Sequence, residues 1–287
     1  MEIIVGKTAG FCYGVKRAVE GAKKELKQNK ENVYCLGELV HNEQVIKELE
    51  NQGITFINSL INNKDIFIIR AHGAEKNIYD IAEKNNIKLK DYTCPNVLKI
   101  HEIAGEFSKK GYYIFLCGNK NHPENIGTIS YCGDNVYIIE NEDTVSEALG
   151  KINDAETKKL LLISQTTYSL EKFQKIEKII KNKINKDIKL VIKNTICRAT
   201  ELRQEETKQL AKKVDYMIII GGKNSSNTKK LYEIAKKNCN NSICIETEKE
   251  LNLDELTGKE KIGIMAGAST PKESIDGVCE KLKLLNY

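Results

Sequence analysis

Apolar residues along this chain fall into two alternating patterns. Short, nearly unbroken runs occupy 3–5, 33–37, 66–70, 87–89, 113–118, 160–164, 188–192, 216–221 and 261–266. Runs of this length bounded by polar turns are what strands buried in a parallel sheet present. Between them apolar residues return at helical spacing, as Val15, Val19, Ala22 and Leu26 do after the first run. Lys172 and the lysines that follow it as far as Lys186 lie in such a pattern and suit a helix with a solvated face. Strands alternating with helices predict parallel α/β units, whose functional groups gather at the carboxyl ends of the strands. No Pro-rich or Gly/Ser-rich linker separates them, so the units should pack closely.

The pattern repeats. Shifting the chain by 103 residues lays Cys94 on Cys197, Tyr113 on Tyr216, Gly118 on Gly221 and Lys120-Asn121 on Lys223-Asn224, and eight of the 28 positions from Cys94 to Asn121 are identical. Carried further, the same frame lays Thr166-Thr167 on Ser269-Thr270. A looser copy begins at Cys12, which reaches Gly37 after 25 residues, whereas Cys94 and Cys197 reach Gly118 and Gly221 after 24, so one inserted residue reconciles them. Each cysteine also follows a strand-like run that ends near a threonine: Thr8, Thr93 or Thr195. The expected units are 9–93, 94–193 and 194–287, with strand 1–8 completing the third.

Three stations in each copy carry reactive residue types. The first holds Cys12, Cys94 and Cys197. The second holds His41, then His122 with Glu124, then Ser225, Ser226 and Asn227. The third holds His72, then Thr166 and Thr167, then Ser269 and Thr270. A pseudo-threefold axis relating the copies would bring all of them to one central pocket. A helix N-terminus lowers a thiol pKa and favours the thiolate. Three cysteines without a fourth suit a [4Fe–4S] cluster with one iron left open, and zinc held by three Cys and one His is the rival. His, Ser and Asn side chains with helix-start N–H groups suit a diphosphate. Glu124 is the one carboxylate at these stations: a proton donor, or a carboxylate capping its own helix.

Composition narrows the setting. Nine cysteines with no C-x-x-C pair, in a chain of 287 residues without a signal-peptide pattern, argue against a disulfide scaffold, a zinc ribbon or a thioredoxin motif and point to the cytoplasm. Cys35 and Cys117 lie inside apolar runs and belong to the core; Cys132, Cys239, Cys244 and Cys279 have no counterpart in the repeat. His101, inside a helical pattern, is structural. A net charge of +5, scattered along the chain, argues against nucleic acid, and no run reaches the ~20 apolar residues of a membrane span. Arginine is scarce, and three of the four, Arg17, Arg70 and Arg198, lie beside the stations. Gly6-Lys7-Thr8 lacks the earlier glycine of a phosphate-binding P-loop.

Gly10-Phe11-Cys12-Tyr13-Gly14-Val15, Glu38-Leu39-Val40-His41-Asn42, Arg70-Ala71-His72-Gly73, Thr93-Cys94-Pro95 and His122-Pro123-Glu124 lie in the first half of the chain. Gln165-Thr166-Thr167, Asn194-Thr195-Ile196-Cys197, Asn224-Ser225-Ser226-Asn227 and Gly267-Ala268-Ser269 follow. In these motifs and their order the sequence resembles the 4-hydroxy-3-methylbut-2-enyl diphosphate reductase family of the non-mevalonate isoprenoid pathway. The resemblance implies an α/β trefoil: three related small units with parallel sheets around a central iron–sulfur site, with one [4Fe–4S] cluster per chain on Cys12, Cys94 and Cys197. It implies that His41, His72, His122, Ser225, Ser226, Asn227 and Ser269 hold the diphosphate of a small allylic substrate. Thr166 and Glu124 would sit at the substrate hydroxyl, Glu124 delivering the proton, with His122 the next candidate acid. The implied reaction removes that hydroxyl with two electrons and two protons, giving isopentenyl and dimethylallyl diphosphate, the electrons coming from a ferredoxin- or flavodoxin-type donor. A cluster-bearing redox sensor would not need the polar stations, and a zinc-dependent phosphate-ester hydrolase would be colourless.

Overall fold

The computed structural model describes residues 1–29, 31–61, 65–153 and 158–286. The chain opens with β1 (Glu2–Val5) and α1 (Tyr13–Gln28), then β2 (Val33–Leu36), α2 (Glu43–Asn51), β3 (Ile54–Ile57), β4 (Ile66–Ile69), α3 (Lys76–Lys84) and β5 (Lys88–Asp91). The plan recurs as α4 (Pro95–Lys109), β6 (Tyr113–Cys117), α5 (Pro123–Ile129), β7 (Val136–Ile139), α6 (Glu142–Asn153), β8 (Lys159–Ser164), α7 (Leu170–Lys183) and β9 (Lys189–Ile192). It ends with α8 (Arg198–Ala211), β10 (Tyr216–Ile220), α9 (Ser226–Asn238), β11 (Ser242–Ile245), β12 (Lys261–Ala266) and α10 (Lys272–Lys283).

These strands form three parallel four-stranded sheets of one topology, in the orders β3-β2-β4-β5, β7-β6-β8-β9 and β11-β10-β12-β1. The class is α/β with three related parallel units, as the alternating pattern predicts. β1 fills in the third sheet, beside β12, the place that β5 and β9 take in the others, with Ile3 opposite Ile262. Inner strands such as β4 (Ile-Phe-Ile-Ile) and β10 (Tyr-Met-Ile-Ile-Ile) are buried along their whole length. Edge strands β5 and β9 are mostly exposed or half-buried and carry lysines, which blunt an open edge against further pairing. Edge strands β3, β7 and β11 lie outside the runs that the apolar pattern singles out. Each has four residues, partly buried at most of them, and so short a run is hard to tell from the apolar positions of a neighbouring helix.

By internal contacts the chain divides into two compact units, one of Met1–Val19, Val40–Gln52 and Arg198–Tyr287, the other of Glu20–Leu39 and Gly53–Cys197. The first contains the β11-β10-β12-β1 sheet, with Ile218, Ile220, Ile264 and Val278 packed on one face and Met217, Ile219, Leu231 and Met265 on the other. The second contains the other two sheets, and its largest core gathers Phe115, Ile139, Leu160, Leu162, Phe173 and Ile180 on one face of the β6–β8 pair.

Strand register corrects one expectation. Cys117 pairs with Ser164 and Ile220 with Ala266, so the offset between copies is 103 at the first strand and 102 at the second. Leu36 pairs with Ile69 in the same way. Thr166 is therefore equivalent to Ala71 and Ala268, not to Ser269, and the matching triple is His72, Thr167 and Ser269. One residue is missing from the third copy between these strands, where two short 3-10 turns (Glu248–Glu250 and Asp254–Leu256) stand in place of α6. Ungapped matching cannot register such a loss.

Candidate active site

The three cysteines are held alike. Cys12 directly precedes α1, Cys94 is the N-cap of α4 and Cys197 directly precedes α8. In each copy the cysteine N–H donates, at 3.0 Å, to the carbonyl of the residue just after the second strand's turn: Cys12 to Ala268, Cys94 to Ala71 and Cys197 to Thr166. This leaves each cysteine at the start of a helix. All three are half-buried and outside any disulfide. Cys35 and Cys117 are fully buried strand residues; burial pushes the Cys35 thiol up to about 12 and the Cys117 thiol higher still. Burial also raises Cys132 to about 12 and Cys244 to about 11, so these thiols stay protonated. Cys239, buried at the end of α9, points its thiol at the Asn241 carbonyl, 3.3 Å away.

In the unit that contains Cys94 and Cys197, β6 leads through Gly118 to α5. His122 is the N-cap of α5, its Nδ1 accepting the Glu124 N–H at 3.2 Å, and Pro123 begins the helix. An accepting Nδ1 places the proton of the neutral imidazole on Nε2. Glu124 does not cap its helix. Its carboxylate is buried and turned to the next strand end, accepting the Thr166 N–H at 2.6 Å and the Thr166 hydroxyl at 2.7 Å. Burial raises the Glu124 pKa to about 7 against the lowering by these two bonds, so the group exchanges its proton near neutrality. Thr166 thus touches two stations: it holds the Glu124 carboxylate, and its carbonyl receives the Cys197 N–H. The His72 and His122 rings meet edge to face at 5.5 Å. His101 lies buried in α4, stacked on Tyr131 at 4.6 Å, and burial lowers its pKa to about 4, in keeping with a structural role.

The other unit holds Cys12, His41, Ser225, Ser226, Asn227 and Ser269. Asn42 caps α2, accepting from the Gln44 and Val45 N–H groups, which places His41 one residue before the cap. The Ser269 hydroxyl donates to the His41 carbonyl at 3.0 Å. Ser225 caps α9 by accepting the Thr228 N–H at 3.2 Å, leaving its own O–H to donate, and Ser226 is the first helical residue. Asn227, in the first turn of α9, is 3% exposed, and neither atom of its amide has a hydrogen-bond partner among the described residues. Native proteins rarely leave a buried amide unsatisfied, and this one lies beside the N–H groups that open α9.

Two sets of contacts escaped the sequence reading. Asn125 donates to the Asn119 carbonyl at 2.7 Å and to Gln165 Oε1 at 3.1 Å, and Gln165 Nε2 donates to Thr167 at 2.8 Å. This buried network locks α5 onto the Thr166 turn. Gly118 makes room for it: a Cβ there would lie 2.3 Å from Asn125 Nδ2. The other set is that of Arg203 and Glu206, on α8. Arg203 is the one arginine away from the stations, and its scarcity in a lysine-rich chain was the available signal.

A thrice-repeated parallel α/β scaffold, with one cysteine at a helix start in each copy and a buried carboxylic acid in one of them, is the frame of an α/β enzyme. The chain belongs to the LytB protein family, whose model matches residues 3–283. It is 44% identical over 290 residues to a 4-hydroxy-3-methylbut-2-enyl diphosphate reductase of Caldanaerobacter subterraneus subsp. tengcongensis, covering 99% of this chain and 98% of that one. The reductase of Clostridioides difficile is 39% identical, over 99% and 100% of the two chains. Among solved structures, an (E)-4-hydroxy-3-methyl-but-2-enyl diphosphate reductase described as the terminal enzyme of the non-mevalonate pathway matches with a TM-score of 0.71 at 39% identity, over 99% and 100% of the chains. The corresponding reductase of Plasmodium falciparum matches with a TM-score of 0.89 at 33% identity, over 100% and 88%. No helix among the described residues is long and apolar enough to cross a membrane.

Proposed function

We propose that this protein removes the hydroxyl of 4-hydroxy-3-methylbut-2-enyl diphosphate as water, taking up two electrons and two protons and giving isopentenyl and dimethylallyl diphosphate. The observation that supports the reading is the like mounting of Cys12, Cys94 and Cys197, three helix-start cysteines whose N–H groups donate to equivalent carbonyls, with no fourth cysteine at such a station among the described residues. That donor set fits a [4Fe–4S] cluster, one per chain, which when bound supplies the electrons and an iron position that no cysteine occupies. The cluster would lie at the centre of units 9–93, 94–193 and 194–287 arranged as a trefoil, the third completed by strand 1–8. Electrons would come from an external ferredoxin- or flavodoxin-type donor, and the enzyme would work in the cytoplasm.

The polar stations divide the remaining work. Ser225, Ser226 and Asn227 offer the substrate diphosphate hydroxyl, amide and backbone donors at the start of α9. His41, His72, His122 and Ser269 add donors, His122 through the Nε2 proton that its cap bond dictates. Glu124 near pH 7 is the acid that protonates the departing oxygen. Thr166 can pass that proton on: once Glu124 is protonated it donates to the Thr166 oxygen, and the Thr166 hydrogen turns to the substrate.

Protein made anaerobically should be brown, with absorption at about 400 nm and about four irons per chain. Cys12→Ser, Cys94→Ser and Cys197→Ser should each lose the iron, whereas Cys239→Ser keeps it. Colourless protein with stoichiometric zinc would overturn the reading.

A further inference from the structure

Cys12 sits at the end of a loop that nothing in the repeat explains. Residues 6–12 connect β1 to α1 and include Gly10 at φ +98°, a conformation that gives the loop little stiffness of its own. Two side chains of α8 hold it. Arg203, 3% exposed, donates from Nε to the Thr8 carbonyl and from Nη2 to the Gly10 carbonyl, both at 2.9 Å. One turn on, Glu206 accepts the Lys7 N–H at 2.6 Å, the Thr8 N–H at 2.8 Å and the Thr8 hydroxyl. Partial burial works against the Glu206 charge, but these bonds outweigh it and hold the carboxyl below its usual range, so it is ionised. Five charge-assisted hydrogen bonds thus converge on residues 7–10. Cys94 follows a turn held by Asp91 accepting the Thr93 N–H, but Thr93 is itself fully buried, and the Cys197 turn rests on the neutral Thr195–Ser164 pair.

We propose that Arg203 and Glu206 are positioning residues for Cys12: they make rigid an otherwise pliable loop so that its thiol is set before any metal arrives. The helix that does this begins at Arg198, the residue after Cys197, so one rigid element both follows one ligand and fixes the approach to another. Positions 203 and 206 correspond to Ile100 and Ile103 of the second copy in the 103-residue frame, so the device belongs to the third copy alone. In the second copy the equivalent turn runs from β9 to Cys197, contains no glycine and rests on the neutral Thr195–Ser164 pair.

The role of Cys12 as a ligand rests on the reading above; the clamp itself is testable without it. In cluster-free protein, alkylation by iodoacetamide is followed at each cysteine by peptide mass spectrometry. Glu206→Gln, which keeps the side-chain shape, should speed alkylation of Cys12 by about tenfold or more, as loss of charge-assisted bonds to the loop implies. Cys94 and Cys197 should change less than about twofold, because α8 remains folded. Hydrogen exchange at the Lys7 and Thr8 amides should rise in step, and Arg203→Lys, which retains one donor, should lie between wild type and Glu206→Gln. After anaerobic reconstitution, iron release to a chelator should be faster in Glu206→Gln than in wild type. Unchanged Cys12 alkylation and amide exchange in a folded Glu206→Gln protein would overturn the clamp, as would equal acceleration at all three cysteines. Wild type that takes up no iron, with Cys12 alkylation still selective, would instead remove the cluster reading and leave the clamp standing.

Discussion

Glu124 and Asn227 occupy the same place in two copies of one scaffold, 103 residues apart in the first turn of α5 and of α9. Both are buried. Glu124 is satisfied within the protein, by the N–H and hydroxyl of Thr166. Asn227 has no partner among the described residues. Strand register supplies part of the difference. The position that is Thr166 in the second copy is Ala268 in the third, which has no hydroxyl to offer. Differences at these two positions thus separate a carboxylate satisfied within the protein from a buried amide without a partner among the described residues. Duplication supplied the geometry, and divergence at two linked positions supplied two chemistries.

The largest expected effect comes from removing the acid. Glu124→Gln keeps the shape and the bond from Thr166 but cannot deliver a proton, so kcat should fall by roughly two orders of magnitude with iron content unchanged. In wild type, kcat should decline as pH rises through about 7, where Glu124 loses its proton. The same raised pKa makes a stability statement: the folded state holds this proton more tightly than the unfolded chain, so its contribution is complete below the ordinary Glu value and is lost as pH rises through about 7. Thermal melting with and without Glu124→Gln across that range checks the sign. Near-normal turnover in the variant would move the acid to His122.

Next in size is the support behind the acid. Gly118→Ala would place a methyl 2.3 Å from Asn125 Nδ2 and break the network that locks α5 to the Thr166 turn. A cost of about 1–3 kcal/mol is expected, lowering Tm by several degrees, and a calorimetric scan would show it. Asn227→Ala removes no internal hydrogen bond, so Tm should hold while KM rises by about tenfold, the loss of one or two ligand bonds. A variant that loses stability and keeps KM would break the contrast with Glu124. The smallest shift, read in the pH profile apart from any fall in kcat from losing the relay, is that of Thr166→Val. It deletes one bond to the Glu124 carboxylate, so the Glu124 pKa should rise further and the alkaline decline of kcat should move to higher pH. An unmoved limb would show that the Thr166 hydroxyl does not hold the ionised acid.

Much of this was legible before any coordinates. The inner strands are unbroken apolar runs because both faces of a parallel sheet are covered, and the cysteines mark the helix starts because each follows such a run. The station residues were legible as types recurring at one offset. Edge strands β3, β7 and β11 were not, since a four-residue run is too short to separate from the apolar positions of the helices beside it.

What the sequence determined by itself is therefore the period, the class of fold and the identity of the reactive side chains, all of which depend on short-range patterning. Tertiary structure decided their pairing. Only the strand register could show that Thr166 answers to Ala268, because a single lost residue between β10 and β12 is invisible until hydrogen bonds count it. Only packing could turn Glu124 away from its own helix and raise its pKa, because burial is a property of neighbours that lie far along the chain. The grip of Arg203 and Glu206 on a loop nearly 200 residues earlier has the same origin. Contacts of that span leave no periodic trace in a sequence, and they set which of its polar residues are satisfied and which remain open.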